Sequence, residues 1–175
     1  MKETGVIRKL DELGRVVIPK EIRKNLRINE GDMVEIYVDG TDEVVLKKHS
    51  PFKINEDDSY KLSKTLYDKF KNTILITDDV QVIGGYGTLF GEHIDQYLSK
   101  DFKKIFSGQK RYYGPSFGII ENSKLSYTIL ARKLLSKDEE LGTICMIEEN
   151  TKIDGNCEQI FDFVASFFAK KLEAW

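Results

Sequence analysis

The chain has 175 residues, 41% of them hydrophobic and 32% charged, the composition of a soluble globular protein with room for one large or two small domains. No apolar run approaches the roughly 18 residues of a membrane span, and the N-terminus MKETGVIRKLDE has no signal-peptide h-region, so the expected location is the cytoplasm. The formal net charge of −2 excludes a uniformly basic surface but hides a polarised first segment: eight basic against four acidic residues over 1–27, then two against six over 28–50.

In chain order, residues 5–10 read as a short strand and Asp11-Glu12-Leu13-Gly14 as a turn, with Gly14 supplying the positive φ. Residues 15–18 read as a second strand. Pro19 then opens a short helix over 20–26, with Ile22 and Leu26 on one face. Val34, Ile36 and Val38 alternate with Glu35, Tyr37 and Asp39, the pattern of a half-buried strand; Asp39-Gly40-Thr41-Asp42 turns it back into a fourth strand over 43–48. Four short strands and one helix bury too little to be comfortably stable alone and leave strand edges open. The economical solution is a dimer whose hairpins share one core.

Residues 49–58 read as a polar linker with Pro51, and 59–71 as an amphipathic helix carrying Leu62, Leu66 and Phe70. Strands are expected at 73–77 and 80–83 around Asp78-Asp79, a helix over 92–107, irregular chain over 108–123, strands at 127–135 and 141–148, and a last helix over 156–172. Helices alternating with paired strands predict an α+β unit with an antiparallel sheet. In the last helix Ile160, Phe161, Phe163, Val164, Phe167 and Phe168 cover more than one stripe. That is either one broad core face or burial on two sides, the second against a partner chain.

Several motifs point to chemistry only in isolation. Gly114-Pro115-Ser116-Phe117-Gly118 has the G-x-S-x-G spacing of a nucleophile elbow, but both histidines precede it and the flanking strand-to-helix context is missing. Gly84-Gly85-Tyr86-Gly87 follows a strand without the βαβ repeat of a dinucleotide site, so a close-packed glycine turn is the expectation. His49 and His93 have no partner at ligand spacing, so no metal is expected, and no other cofactor is indicated. Cys145 and Cys157 are expected to be reduced, with Cys145 a core thiol. No acid, base and nucleophile converge, so no enzyme is expected. The basic residues Arg8, Lys9, Arg15, Arg23, Lys24 and Arg27 are candidate DNA-binding groups, Arg offering a planar fork suited to phosphate and to guanine edges.

The stretch TGVIRKLDELGRVVIPKEIRKNLRINEGDMVEIYVDGTDEVVLKK, with LGRVVIPKEIR at its heart, closely resembles the AbrB-type swapped-hairpin DNA-binding domain. The length and the α+β pattern that follow resemble the members of that family with a GAF-like domain behind it. The resemblance implies three regions: a DNA-binding swapped-hairpin domain at 1–50, a β-barrel formed by two chains; a linker at 51–58; and a GAF-like regulatory and oligomerisation domain at 59–175, an antiparallel sheet flanked by helices. It implies that Arg8, Arg15, Arg23 and Lys24 stand at the family's DNA-contacting positions, Lys24 replacing an Arg and so losing its bidentate fork. It also implies a homodimer through the N-terminal domain, a tetramer through C-terminal helices, A/T-rich duplex as partner, and activation and repression of sporulation genes in the forespore. A small-molecule ligand in the GAF-like domain is implied without being named, with the loop carrying Arg111, Tyr112 and Tyr113 as candidate pocket wall or as plain surface. The alternative within AbrB-type folds is an antitoxin whose C-terminal region binds a protein toxin.

Overall fold

The computed structural model describes residues 5–26, 28, 30–40, 42–49, 56–106, 108–136 and 139–172. The chain divides into two compact units, Met1–His49 and Ser50–Trp175.

In the first unit the Asp11–Gly14 turn is closed by Gly14 N donating to Asp11 O (2.9 Å) and Asp11 N to Arg15 O (3.0 Å), with Gly14 at φ +74°. Among the described residues, the stretches 5–10 and 15–18 expected as strands are not part of any strand. A two-stranded hairpin this short is marginal without further strands beside it. Helix α1 spans Lys20–Asn25, with Pro19 just before it at φ −56° and ψ 149°. Strands β1 (Val34–Asp39) and β2 (Glu43–Lys48) pair antiparallel with Ile36 opposite Leu46. The half-buried face expected of β1 is only partly covered: Val34 is intermediate, while Ile36 and Val38 are exposed. Among the described apolar residues of this unit only Ile28 is buried.

The second unit opens with α2 (Glu56–Phe70), three residues ahead of the expected Ser59 start, so the last residues of the expected linker are helical. Asp57 and Asp58 favour this, because acids in a first turn complement the helix dipole and Asp57 pairs with Lys61 one turn on. Strands β3 (Thr73–Thr77), β4 (Val82–Tyr86), β5 (Arg111–Phe117), β6 (Ser126–Ser136) and β7 (Glu139–Ile147) form one antiparallel sheet in the order β4-β3-β7-β6-β5. The alternation of side chains divides the core. Ile74, Ile76, Leu130, Ile144 and Met146 meet α2 and the last helix α5 (Gly155–Leu172), while Leu75, Ile129, Ala131, Cys145 and Ile147 meet the opposite layer of Leu98, Phe102, Phe106 and Ile119. Phe161 and Phe168 of α5 lie in the first cluster, but Phe163 and Phe167 stay 73% and 62% exposed.

Three expectations need correction. The single helix over 92–107 is two short ones, α3 (Phe90–His93) and α4 (Lys100–Ile105). Asp95 turns left-handed at φ +60°, Tyr97 and Leu98 bridge to Gln81 and Ile120, and Ser99 caps α4 by accepting from Phe102 N at 3.0 Å. The irregular stretch over 108–123 contains β5. Pro115 argues against a strand in the sequence, yet proline is tolerated in a sheet on an edge strand, and β5 is an edge. The glycine turn expected at 84–87 is instead strand β4 as far as Tyr86; the close approach holds, since a Cβ at Gly85 or Gly87 would overlap Ile74 O or Thr73 of β3.

Candidate nucleic-acid interface

The basic residues of the first unit are carried by a turn and a helix end. Asp11 organises the turn: its Oδ1 accepts from Leu13 N (3.0 Å) and Arg15 N (2.8 Å), and its Oδ2 accepts from Arg15 Nε (2.8 Å). The Arg15 backbone N–H, then its guanidinium, hold the Asp11 carboxyl below the usual carboxylate range. The ion pair steadies the Arg15 stem, while the side chain stays 71% exposed. One Nε–H is used, and a guanidinium carries five N–H donors.

Arg23 and Lys24 lie in the last turn of α1, where cations complement the partial negative charge of the helix end. As successive residues they project about 100° apart around the axis. Both are exposed, as are Arg8 and Lys9; Arg27 lies outside the described residues. The structure therefore brings Arg15 against Asp11 and places Arg23 beside Lys24.

A cluster that sequence reasoning missed sits on β1 and β2. His49 Nδ1 lies 2.5 Å from Glu35 Oε1, Tyr37 OH donates to the other Glu35 oxygen, and Lys47 Nζ stands 4.9 Å from the Tyr37 ring centre. The period-2 spacing of Glu35 and Tyr37 was the available signal; the return of His49 beside them depends on the β1–β2 register. Glu35 raises the Tyr37 pKa by accepting its hydroxyl.

The residues weighed for other chemistry have structural places. Ser116 is buried within β5, not on an elbow. His93 is buried with Nδ1 2.7 Å from Leu89 O. Burial raises the Cys145 thiol pKa, and that of Cys157 to about 11. Of the candidate pocket wall, Arg111 pairs with Glu158 and, at 3.6 Å, with Asp162 on α5. Tyr112 OH donates to Pro115 O at 2.5 Å, and Tyr113 OH stands 3.3 Å from Ile153 O. Arg111 and Tyr113 thus tie the edge strand to α5 and to the chain just before it, while the Tyr112 bond stays within β5. Among the described residues no group of three His, Cys, Asp or Glu could hold a metal, and no helix is long and apolar enough to cross a membrane.

Comparison with known proteins adds independent findings. The family model for the antidote-toxin recognition protein MazE, a bacterial antitoxin, matches residues 7–53. Stage V sporulation protein T of Bacillus subtilis is 31% identical over 180 residues, covering 99% of each chain. The transition state regulatory protein AbrB of the same organism is 59% identical over 51 residues, 29% of this chain and 52% of that one. A solution structure of the N-terminal DNA recognition domain of that regulator is 59% identical, covers 29% of this chain and 94% of its own, and superposes with a TM-score of 0.25.

Proposed function

Because this chain belongs to the stage V sporulation protein T family and its first fifty residues are AbrB-like, we propose that it is a homo-oligomeric transcription regulator that binds A/T-rich duplex DNA through those residues. The observation that carries the reading is a polarised N-terminal unit. It exposes Arg8, Lys9, Arg15, Arg23 and Lys24 together with large apolar side chains, Ile7 at 89% and Val17 at 75% among them. So much exposed apolar surface suits an interleaved dimer, a barrel of hairpins from two chains. Pairing doubles the cations available to phosphate. Arg15 and Arg23 are the forks of that face, and Lys24 adds charge. Lys9 and Arg27 remain further candidates for phosphate contact.

The second unit is read as a GAF-like regulatory and oligomerisation domain that joins dimers into tetramers. Phe163 and Phe167, one turn apart on α5, supply an apolar contact for a second copy. A ligand or partner signal reaching this domain would alter the spacing of the DNA-binding dimers. The expected setting is the cytoplasm of a sporulating cell, on the nucleoid, at sporulation genes that are activated or repressed.

The test is fluorescence anisotropy on an A/T-rich duplex across a salt series. Binding should weaken as salt rises, with slope set by the number of phosphates neutralised. A salt-independent or undetectable affinity would count against DNA as the partner. The antitoxin reading draws on the MazE match over 7–53 and predicts a C-terminal tail that folds only on a toxin. Limited proteolysis separates the two. A stable fragment over residues 56–172 supports the regulator, and rapid loss of that region supports the antitoxin.

A further inference from the structure

The second unit carries a basic patch of its own. Over residues 100–110 there are four lysines (Lys100, Lys103, Lys104, Lys110) and one acid, Asp101, whereas the rest of residues 51–175 has 13 basic residues and 18 acidic ones. The fold gathers this charge. Phe102 and Phe106 are sunk in the core beneath α4, so its three lysines face outward; these and Lys110 are exposed. Lys133 of β6 joins them: its backbone N donates to Lys110 O at 2.9 Å, and its Nζ lies 5.9 Å from the Phe106 ring centre. Among the described acids, Asp101 lies 3.3 Å from Lys104 and Glu140 lies 2.7 Å from Lys133. The Arg111 guanidinium is drawn instead to Glu158 and Asp162.

We propose that α4 and the turn behind it make a second, sequence-independent contact with the phosphate backbone of the duplex that the N-terminal unit binds. This rests on the DNA-binding reading above. Lysine ammoniums are mobile point charges that suit phosphates without specifying bases. The two patches belong to one chain, so a duplex that engages both gains by multivalency even where the second patch alone is too weak to bind. A single patch of this charge inside an otherwise acidic unit complements a polyanion.

The test uses the full chain and an A/T-rich duplex. In K100Q/K103Q/K104Q affinity should fall, and the slope of log K against log salt should shrink by about 0.9 for each phosphate that is no longer neutralised. K100R/K103R/K104R should retain the wild-type slope. A control with the same change in net charge, K69Q/K124Q/K152Q, should retain it too; all three of these lysines are exposed. If wild type binds and the α4 variant keeps its slope, the second contact is wrong and the first stands. An equal drop in the control overturns it as well, since net charge would then be the cause. A wild type that fails to bind duplex overturns the DNA reading and this inference together.

Discussion

Arg15, assigned to the proposed DNA face, is held by its own turn. Its backbone N–H and its Nε both go to Asp11, so the side chain is held by a turn instead of sweeping through solvent. Less rotamer freedom then remains to be given up on binding. Arg15→Ala and Arg23→Ala should each weaken duplex binding and lower its salt slope by about one unit per phosphate released, read by anisotropy across a salt series. An unchanged affinity in the folded double variant would remove both from the face. The same turn has a signature in pH. The Asp11 carboxyl pKa is lowered in the folded chain, so its contribution is present above the ordinary carboxylate value and is lost as pH falls through the folded one. Carboxyl NMR titration should find Asp11 below 3.8, and Arg15→Ala should move it back up.

Among the elements, α5 has one buried face and one uncovered face. Phe161 is fully buried against the sheet, and Phe161→Ala should lower stability by about 3–5 kcal/mol in denaturant unfolding. Its flank is pinned by Arg132 to Asp162 at 2.9 Å and by Arg111 to the same carboxylate, so the edge strand β5 and its neighbour β6 hold the helix in orientation. Lys171 reaches Asp58 of α2 at 2.7 Å and links the last helix to the first helix of the unit. The Phe163 and Phe167 side chains project from what these contacts leave uncovered. Of this layering, the strands at 73–77 and 127–135 and the last helix were readable from period-2 and period-3.6 spacing. The break between α3 and α4 was not, because its cause is long-range: two bridges draw Tyr97 and Leu98 toward Gln81 and Ile120.

For the whole molecule, the two units require opposite tests. The first exposes most of its apolar side chains in one chain; the second buries a core on each face of its sheet. Concentration-dependent unfolding is therefore expected of the N-terminal unit in particular. On the proposed assembly, Phe163→Ser with Phe167→Ser should convert tetramers to dimers in analytical ultracentrifugation and leave the N-terminal pairing intact. A variant that remains tetrameric would place the contact on another surface.

The local signals alone determined the turns, the α+β alternation, the polarised charge of the first fifty residues and the AbrB-like stretch. Gly14 needs a positive φ in its tight turn, and an apolar stripe at helical spacing needs a core. Tertiary structure decided what such signals cannot carry. It placed β5 at an edge, where Pro115 is harmless, and it paired Arg111 with α5 and left the α4 lysines in solvent. It also closed His49 onto Glu35. Each depends on partners far away in sequence, and the sheet register that brings them together is set by the sum of many side chains, not by any local run.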